Sequence, residues 1–445
     1  MSDRPIQWLP TSAVDPTTPM QSIAGRVVLP LCLMVLAVVA VLNPSITQAG
    51  YYFFPSGIAG MSLMQLFQGV FFLVVLATLP FLLPLWHGYA SLFARLLLAF
   101  TFVLGLVYFR GEITGKIPSQ QVRAEQIYYF KVIFALTVWL YVSLVIRNSD
   151  DARQLLYCIV IGSSLCAVVI LYFYITGRGQ VRSYLYAGVI ATRGAEGVSG
   201  KATLGYLLTS IWATLYLLIN FKKPWLLLPA LLLLAASFVM YDRSSQVAFV
   251  LSGAWLVGWG IFVTKNRHKR NRLMLFIVFL VVVATVYFSR VGFDQLMRRW
   301  TYDFSRGEIG SGRSTFWISS LDWLKSEADW ADFLFGMGYG QMVQRMASAA
   351  GIWVHTHSDL FDLLLIAGVL GLFLLALLYY TLMKIALIRD KTSSEFSVMV
   401  AVFISYAAMS CLTGQFGAPH AMFTIMSVLW CLRLQCESLD RGSLL

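Results

Sequence analysis

The chain has 445 residues, 59% of them hydrophobic and only 12% charged, with a formal net charge of +12. Soluble domains run nearer to about a quarter charged, and a chain with mean hydropathy +0.74 cannot hide its apolar surface in one aqueous core. These values exclude a soluble globular protein and make the bilayer the solvent.

Residues to about Gln21 are polar and lack the basic start of a cleavable signal peptide. A spanning helix needs about 20 mostly apolar residues. Runs of that kind fall at roughly 25–43, 62–85, 91–109, 128–146, 155–176, 203–220, 224–241, 246–264, 273–289, 359–384, 396–412 and 420–436. They predict about twelve transmembrane helices in one all-α, polytopic integral membrane domain over 1–445. Aromatic residues make up 15%, which suits belts at the two membrane surfaces. The six cysteines lie in or beside these runs without a CxxC pair, so they read as small hydrophobes rather than redox or zinc groups.

Short loops set orientation, because long ones translocate largely regardless of charge. Lys222 and Lys223 share one short loop. Lys265, Arg267, Lys269, Arg270 and Arg272 share the next on that side, and Lys384, Arg389 and Lys391 another. The short loops opposite carry almost no Lys or Arg. The basic loops are therefore expected in the cytoplasm with both termini, and 110–127, 177–202 and 290–358 outside. The last, a large loop between spans 9 and 10, contains "STFWISSLDWLK", an amphipathic helix with Trp317, Leu321 and Leu324 at helical spacing that suits the membrane surface.

The outer side, counting the short connection near 242–245, holds Arg178, Arg182, Arg193, Arg243, Arg290, Arg298, Arg299, Arg306, Arg313 and Arg345, with few lysines. Arginine offers a planar fork of donors suited to phosphate, so the cluster suggests a phosphate-bearing ligand at the outer leaflet; contact with lipid headgroups or ordinary solvation explains single members equally. Arg243 differs because "VMYDRSSQVAF" puts it between two apolar spans, where a charge is costly and functional by default, unless Asp242 simply pairs with it.

In "HTHSDLFD", four potential metal ligands lie together: His355, His357, Asp359 and Asp362. Ser358 also reads as a helix N-cap, and Asp359 and Asp362 then need no explanation beyond complementing the helix dipole. A histidine just before a helix start sits in positive potential, which keeps its ring neutral and able to take a proton from a hydroxyl. An interfacial histidine satisfied by loop carbonyls is the plainer alternative.

These residues resemble a known family. "HSDLFDLLLIAGVLGL" resembles the His-Asn-x-x-Leu…Gly-x-x-Gly signature of the O-antigen ligase and polymerase superfamily, with Ser358 in place of the usual Asn. "SGRSTFWISSLDWL" followed by "FLFGMGYG" is similar to its Gly-Arg-x-x-x-Trp segment and downstream Gly-x-Gly-x-Gly. "YDRSSQVAFVLSG" is similar to its Ser-Arg-Gly span start, with Ser244 where Gly is common. "ATRGAEGVSGKATLGYLL" is a looser match, with Lys201 near the usual Asn. The matches run in the expected order from about 190 to 371.

The resemblance implies a GT-C-type membrane glycosyltransferase in the bacterial inner membrane, its active site facing the periplasm. Its donor is a glycan on undecaprenyl pyrophosphate, and in the ligase branch the acceptor is a sugar hydroxyl of lipid A–core. The reaction is inverting and needs neither metal nor cofactor. By motif position, His357, Arg313 and Arg243 are the catalytic residues, with Arg243, Arg313 and the fainter match Arg193 on the pyrophosphate. His355 lies outside the motif and reads as a supporting neighbour. Nucleic acid is not an expected partner. The polymerase branch of the same superfamily is the first alternative. A transporter or flippase for lipid-linked glycan is another; a secondary transporter predicts paired halves and charges near the midplane, whereas here charge gathers at the outer face.

Overall fold

A computed structural model describes residues 63–82, 89–115, 121–176, 183–186, 189–192, 196–221, 223–239, 243–264, 267–287, 301, 305, 313–350, 356–387, 391–414 and 419–442. The expected first span, 25–43, lies outside them. Among the described residues, eight α-helices precede residue 300: α1 Leu63–Leu82, α2 Tyr89–Ile113, α3 Val122–Val145, α4 Ser149–Ile175, α5 Glu196–Phe221, α6 Leu227–Val239, α7 Arg243–Phe262 and α8 Arg267–Tyr287. Three shorter helices follow, α9 Arg313–Ser326, α10 Trp330–Phe335 and α11 Tyr339–Ala350. The chain then returns to long helices in α12 Asp359–Ala386, α13 Ser394–Thr413 and α14 Pro419–Gly442.

Each apolar run expected from residue 62 onward falls on a helix. Six of them are long and apolar enough to cross a bilayer: Ala90–Ile113, Val122–Val145, Ser149–Tyr172, Ser244–Phe262, Asp359–Ala386 and Ser394–Thr413. Three other apolar helices, Gln68–Pro80, Gly205–Phe221 and Pro224–Val239, are shorter. Among the described residues the regular structure is helical apart from an antiparallel hairpin, β1 Ser183–Tyr186 with β2 Val189–Thr192, in register Ser183 to Thr192. The all-α expectation missed this hairpin, although "SYLYAGVIAT" is rich in Tyr, Val and Ile around a Gly.

The bundle is organised around α14. Its residues 421–432 are buried on every side, the mark of a central helix, and it packs on α3, α4, α5, α12 and α13. Indole N–H groups bind this interior together, because a buried Trp needs an acceptor. Trp139 Nε1 donates to Met422 O at 3.1 Å and Trp430 Nε1 to Ile146 O at 2.8 Å. Trp212 Nε1 donates to Ser405 Oγ at 2.8 Å. Buried hydroxyls bond their own helix one turn back, as Ser163, Thr209 and Ser427 do, so no polar group faces hydrocarbon unsatisfied at those points. The outside is the reverse of a soluble protein's. Leu98, Phe102, Leu106, Phe109 and Ile113 form an exposed stripe along α2, and Leu275, Val278, Val281 and Val282 another on α8. Exposed apolar stripes along helices long enough to cross a bilayer fit a lipid surround.

α12 is not one straight span. Ala367 (φ −131°, ψ 17°) and Gly368 (φ 60°, ψ −149°) break it. Asp359 Oδ2 accepts from Ser410 Oγ at 2.5 Å, and the same Ser410 oxygen accepts from Tyr379 OH at 2.7 Å. In a straight helix residues 359 and 379 would stand ~30 Å apart, far beyond what one serine can bridge. The limb 359–366 therefore folds back along the limb 369–386. The expected single span 359–384 is corrected accordingly: its first turns form a short separate helix.

The α10–α11 segment docks into this elbow. Met337 N donates to Leu365 O at 2.7 Å and Gly338 N to Ile366 O at 3.1 Å, satisfying the carbonyls that the break frees. Gly336 has φ 72°, and a Cβ there would lie 2.4 Å from the Ile366 carbonyl; a Cβ on Gly368 would lie 2.5 Å from that of Leu334. Left-handed backbone and close approach both require glycine at these two positions. The Gly-x-Gly-x-Gly and Gly-x-x-Gly stretches seen in the sequence are thus two sides of one contact.

Two ionisable side chains lock it. Glu125, fully buried in the first turn of α3, accepts from Tyr339 N at 2.9 Å, from Gly340 N and from Tyr129 OH, so its carboxyl oxygens cap the N-terminus of α11. Arg110 in the last turn of α2 donates to Gly336 O at 2.7 Å and to Asp332.

Candidate active site

Four segments converge at one end of the bundle: the starts of α7 and α9, the residues leading into α12, and the end of α13. Arg313 opens α9 and is half-buried. Its Nη1 donates to Ser244 Oγ at 3.1 Å and to Leu412 O. Ser244 follows Arg243, the first residue of α7, and Leu412 lies one residue from the end of α13, where helix carbonyls favour a cation. Of Arg243 the structure describes the backbone position and not the side chain.

One turn beyond Arg313, Phe316 meets the His357 ring edge-on, with centroids 6.1 Å apart. Arg313 and Phe316, three residues apart, share a face of α9, so the helix that carries Arg313 also walls the His357 ring. Trp317 stacks on Phe361 at 5.5 Å and its Nε1 donates to Thr356 O at 3.3 Å, which ties α9 to the residue before His357. His357 itself is half-buried with φ 60°, the one non-glycine with positive φ among the described residues. Such strain clusters at functional sites.

Ser358 takes the N-cap position of α12, as expected, but its side chain makes no capping bond. Asp362 instead reaches back to the residue before His357. Its Oδ1 accepts from Thr356 N at 2.8 Å and Thr356 Oγ1 at 2.6 Å, while its own N–H donates to Ser358 O at 2.8 Å. Asp359 turns the other way, to Ser410. Among the described residues no group of three His, Cys, Asp or Glu side chains is placed to hold a metal; His355 lies outside those residues.

Of the other outer arginines, Arg345 is held in a two-point pair with Glu327 at 2.6 and 2.8 Å, and the paired guanidinium holds the Glu327 carboxyl below its usual range. Arg345 is therefore corrected from candidate phosphate ligand to a tie between α9's end and α11. Arg178, Arg182, Arg193, Arg290, Arg298, Arg299 and Arg306 lie outside the described residues. The α9 face is also corrected. Phe316, Ser320 and Trp323 point inward, while Leu321 faces out with Ile318.

Sequence reasoning missed Glu125 and Arg110. A lone carboxylate in the first turn of an apolar run was the available signal for Glu125. Near it, Tyr339 stacks on Tyr128 at 4.4 Å, and burial, with Asp362 and Glu125 adding to it, pushes the Tyr339 phenol up to about 12. That phenol is a neutral donor at physiological pH.

Fold and site together define a multi-pass membrane protein in which arginine and strained histidine are gathered on a glycine-built elbow at one end of an apolar bundle. Residues 228–376, about a third of the chain, match a family model described as O-antigen ligase. The matched stretch contains Arg243, Arg313, the Gly336–Gly340 segment, His357 and the elbow; Arg193 falls before it. No curated protein matches the chain.

Proposed function

We propose that the protein is an O-antigen ligase, an inverting, metal-independent glycosyltransferase of the GT-C type. It transfers a glycan from undecaprenyl pyrophosphate to a sugar hydroxyl of lipid A–core at the periplasmic face of the bacterial inner membrane. The observation that carries this reading is the convergence of His357 with Arg313 and the α7 start that bears Arg243, all within the family-matched stretch. In the proposed reaction the acceptor oxygen attacks the anomeric carbon, the carbon–oxygen bond to pyrophosphate breaks, and the hydroxyl proton passes to the neutral His357 ring. Arg243 and Arg313, joined by Arg193, hold the pyrophosphate and stabilise the charge that grows on it. About twelve spans form a single domain over 1–445, and 290–358 caps a cavity open to the outer leaflet.

Purified protein given lipid-linked glycan and lipid A–core tests the reading. Glycan joined to core supports it. Lengthening of the lipid-linked glycan would instead identify the polymerase branch, and donor movement across a vesicle membrane without a transfer product would identify a transporter.

A further inference from the structure

We propose that Asp362 is a positioning residue for His357, acting through the backbone on either side of it; the proposal rests on the reading of His357 as the base. The Asp362 side chain ties the residue before the histidine to α12: its Oδ1 takes the N–H and the hydroxyl of Thr356 at 2.8 and 2.6 Å. The residue after the histidine is held by the main-chain bond from Asp362 N–H to Ser358 O at 2.8 Å, with Thr356 Oγ1 3.1 Å from the same carbonyl. Fixing residues 356 and 358 to the same turn of α12 leaves His357 as a three-residue bridge, and φ 60° is how that bridge closes. A residue with a Cβ does not take this conformation unless its surroundings impose it.

The clamp is sheltered. Thr356 is fully buried and Asp362 is 4% exposed, so water does not compete for these bonds. Trp317 Nε1 holds Thr356 O from the other side, and Phe316 meets the imidazole edge-on. Backbone clamp and aromatic wall together fix the ring's direction relative to Arg313. Asp362 therefore acts on where the histidine points, without contact with substrate. This separates it from Asp359, which is spent on Ser410 of α13. The chemistry needs an acceptor oxygen at position 362 rather than a charge, which an amide also supplies.

The experiment is steady-state transfer by the full chain in nanodiscs, with Asp362→Ala, Asp362→Asn, Thr356→Val and His357→Ala. A displaced base loses rate rather than binding. Asp362→Ala is therefore expected to lower turnover about a hundredfold with donor KM unchanged, the scale of an ångström-level misplacement. Asp362→Asn should retain turnover within a few-fold, Thr356→Val should fall between, and Asp362→Ala should cost nothing further in a His357→Ala background. Wild-type turnover in Asp362→Ala while His357→Ala is inactive would overturn the clamp and leave the base reading standing. So would an additive loss in the His357→Ala background, or equal damage from Asn and Ala. If Asp362→Ala fails to fold, the Asn and Val variants decide by the same criteria. Full turnover in His357→Ala would sink the base reading itself.

Discussion

His357 joins a strained backbone to a ring half-sheltered by Phe316, on the threshold of a helix. Position before a helix start favours a neutral imidazole, and neutrality is what a base requires. His357→Ala should lose roughly a hundredfold or more in transfer rate, the usual worth of a positioned base, while donor binding persists. His355→Ala should be milder, and wild-type transfer should survive EDTA. Chelator-abolished transfer restored by Zn²⁺ or Mg²⁺ would instead make this a metal site. Arg313 and Arg243 lend themselves to a finer test. Lysine keeps the charge but loses the planar fork, so Arg→Lys at either position should lose most activity with expression unchanged; full activity in both would refute two-point phosphate binding. Arg243 stood out in the sequence because a charge between two apolar spans is costly and needs a reason, whereas Arg313 and His357 stood out by motif position. The left-handed φ was not legible there, since nothing in "THS" distinguishes it from extended chain; in the proposed clamp it depends on Asp362, five residues on.

Hydropathy located the helices but not the elbow in α12. "LLLIAGVLGLFLL" is apolar throughout, and hydropathy carries no information about direction. Only the glycines hinted at it, and their meaning needed Gly336 opposite Gly368. Gly368→Ala should lower stability by roughly 2–4 kcal/mol, from an unfavourable φ plus overpacking against Leu334, and should remove transfer with it. A melting temperature equal to wild type would contradict the elbow. Amphipathic spacing misjudged the α9 face for a related reason: the outward side is apolar too. Ile318 is 57% exposed and Leu321 42%. On the neighbouring α10, Trp330 and Phe333 are exposed and stacked at 5.6 Å. Arg110 latches α10 to the end of α2, the helix that also exposes Phe109 and Ile113, so this aromatic pair is expected to meet lipid as that stripe does. Spin labels at Trp330 and Phe333 should be more accessible to oxygen than to a water-soluble nickel chelate, with the reverse at Ser326. Water-like accessibility at both would remove α10 from the membrane surface.

At the scale of the whole molecule, sidedness follows from joining loop charge to geometry. α7 and α13 pack intimately and run opposite ways. Trp259 Nε1 donates to Lys391 O and Trp255 Nε1 to Ser397 O, which pairs the end of α7 with the start of α13. Their other ends, Ser244 and Leu412, meet on Arg313. α7 thus runs from the site to the basic stretch 265–272, and α13 runs from the basic stretch 384–391 back to the site. Both basic loops lie at the end remote from His357. Short basic loops stay in the cytoplasm, so the site end should face the periplasm. Ser348, exposed on α11, reports on that end. A cysteine placed there should react with a membrane-impermeant thiol reagent applied from the periplasm, above the background of the wild-type chain. Reaction only after the inner membrane is opened would invert the topology. It would also remove the proposed outer-leaflet donor, because its pyrophosphate would then lie on the wrong side of the bilayer from Arg313 and His357.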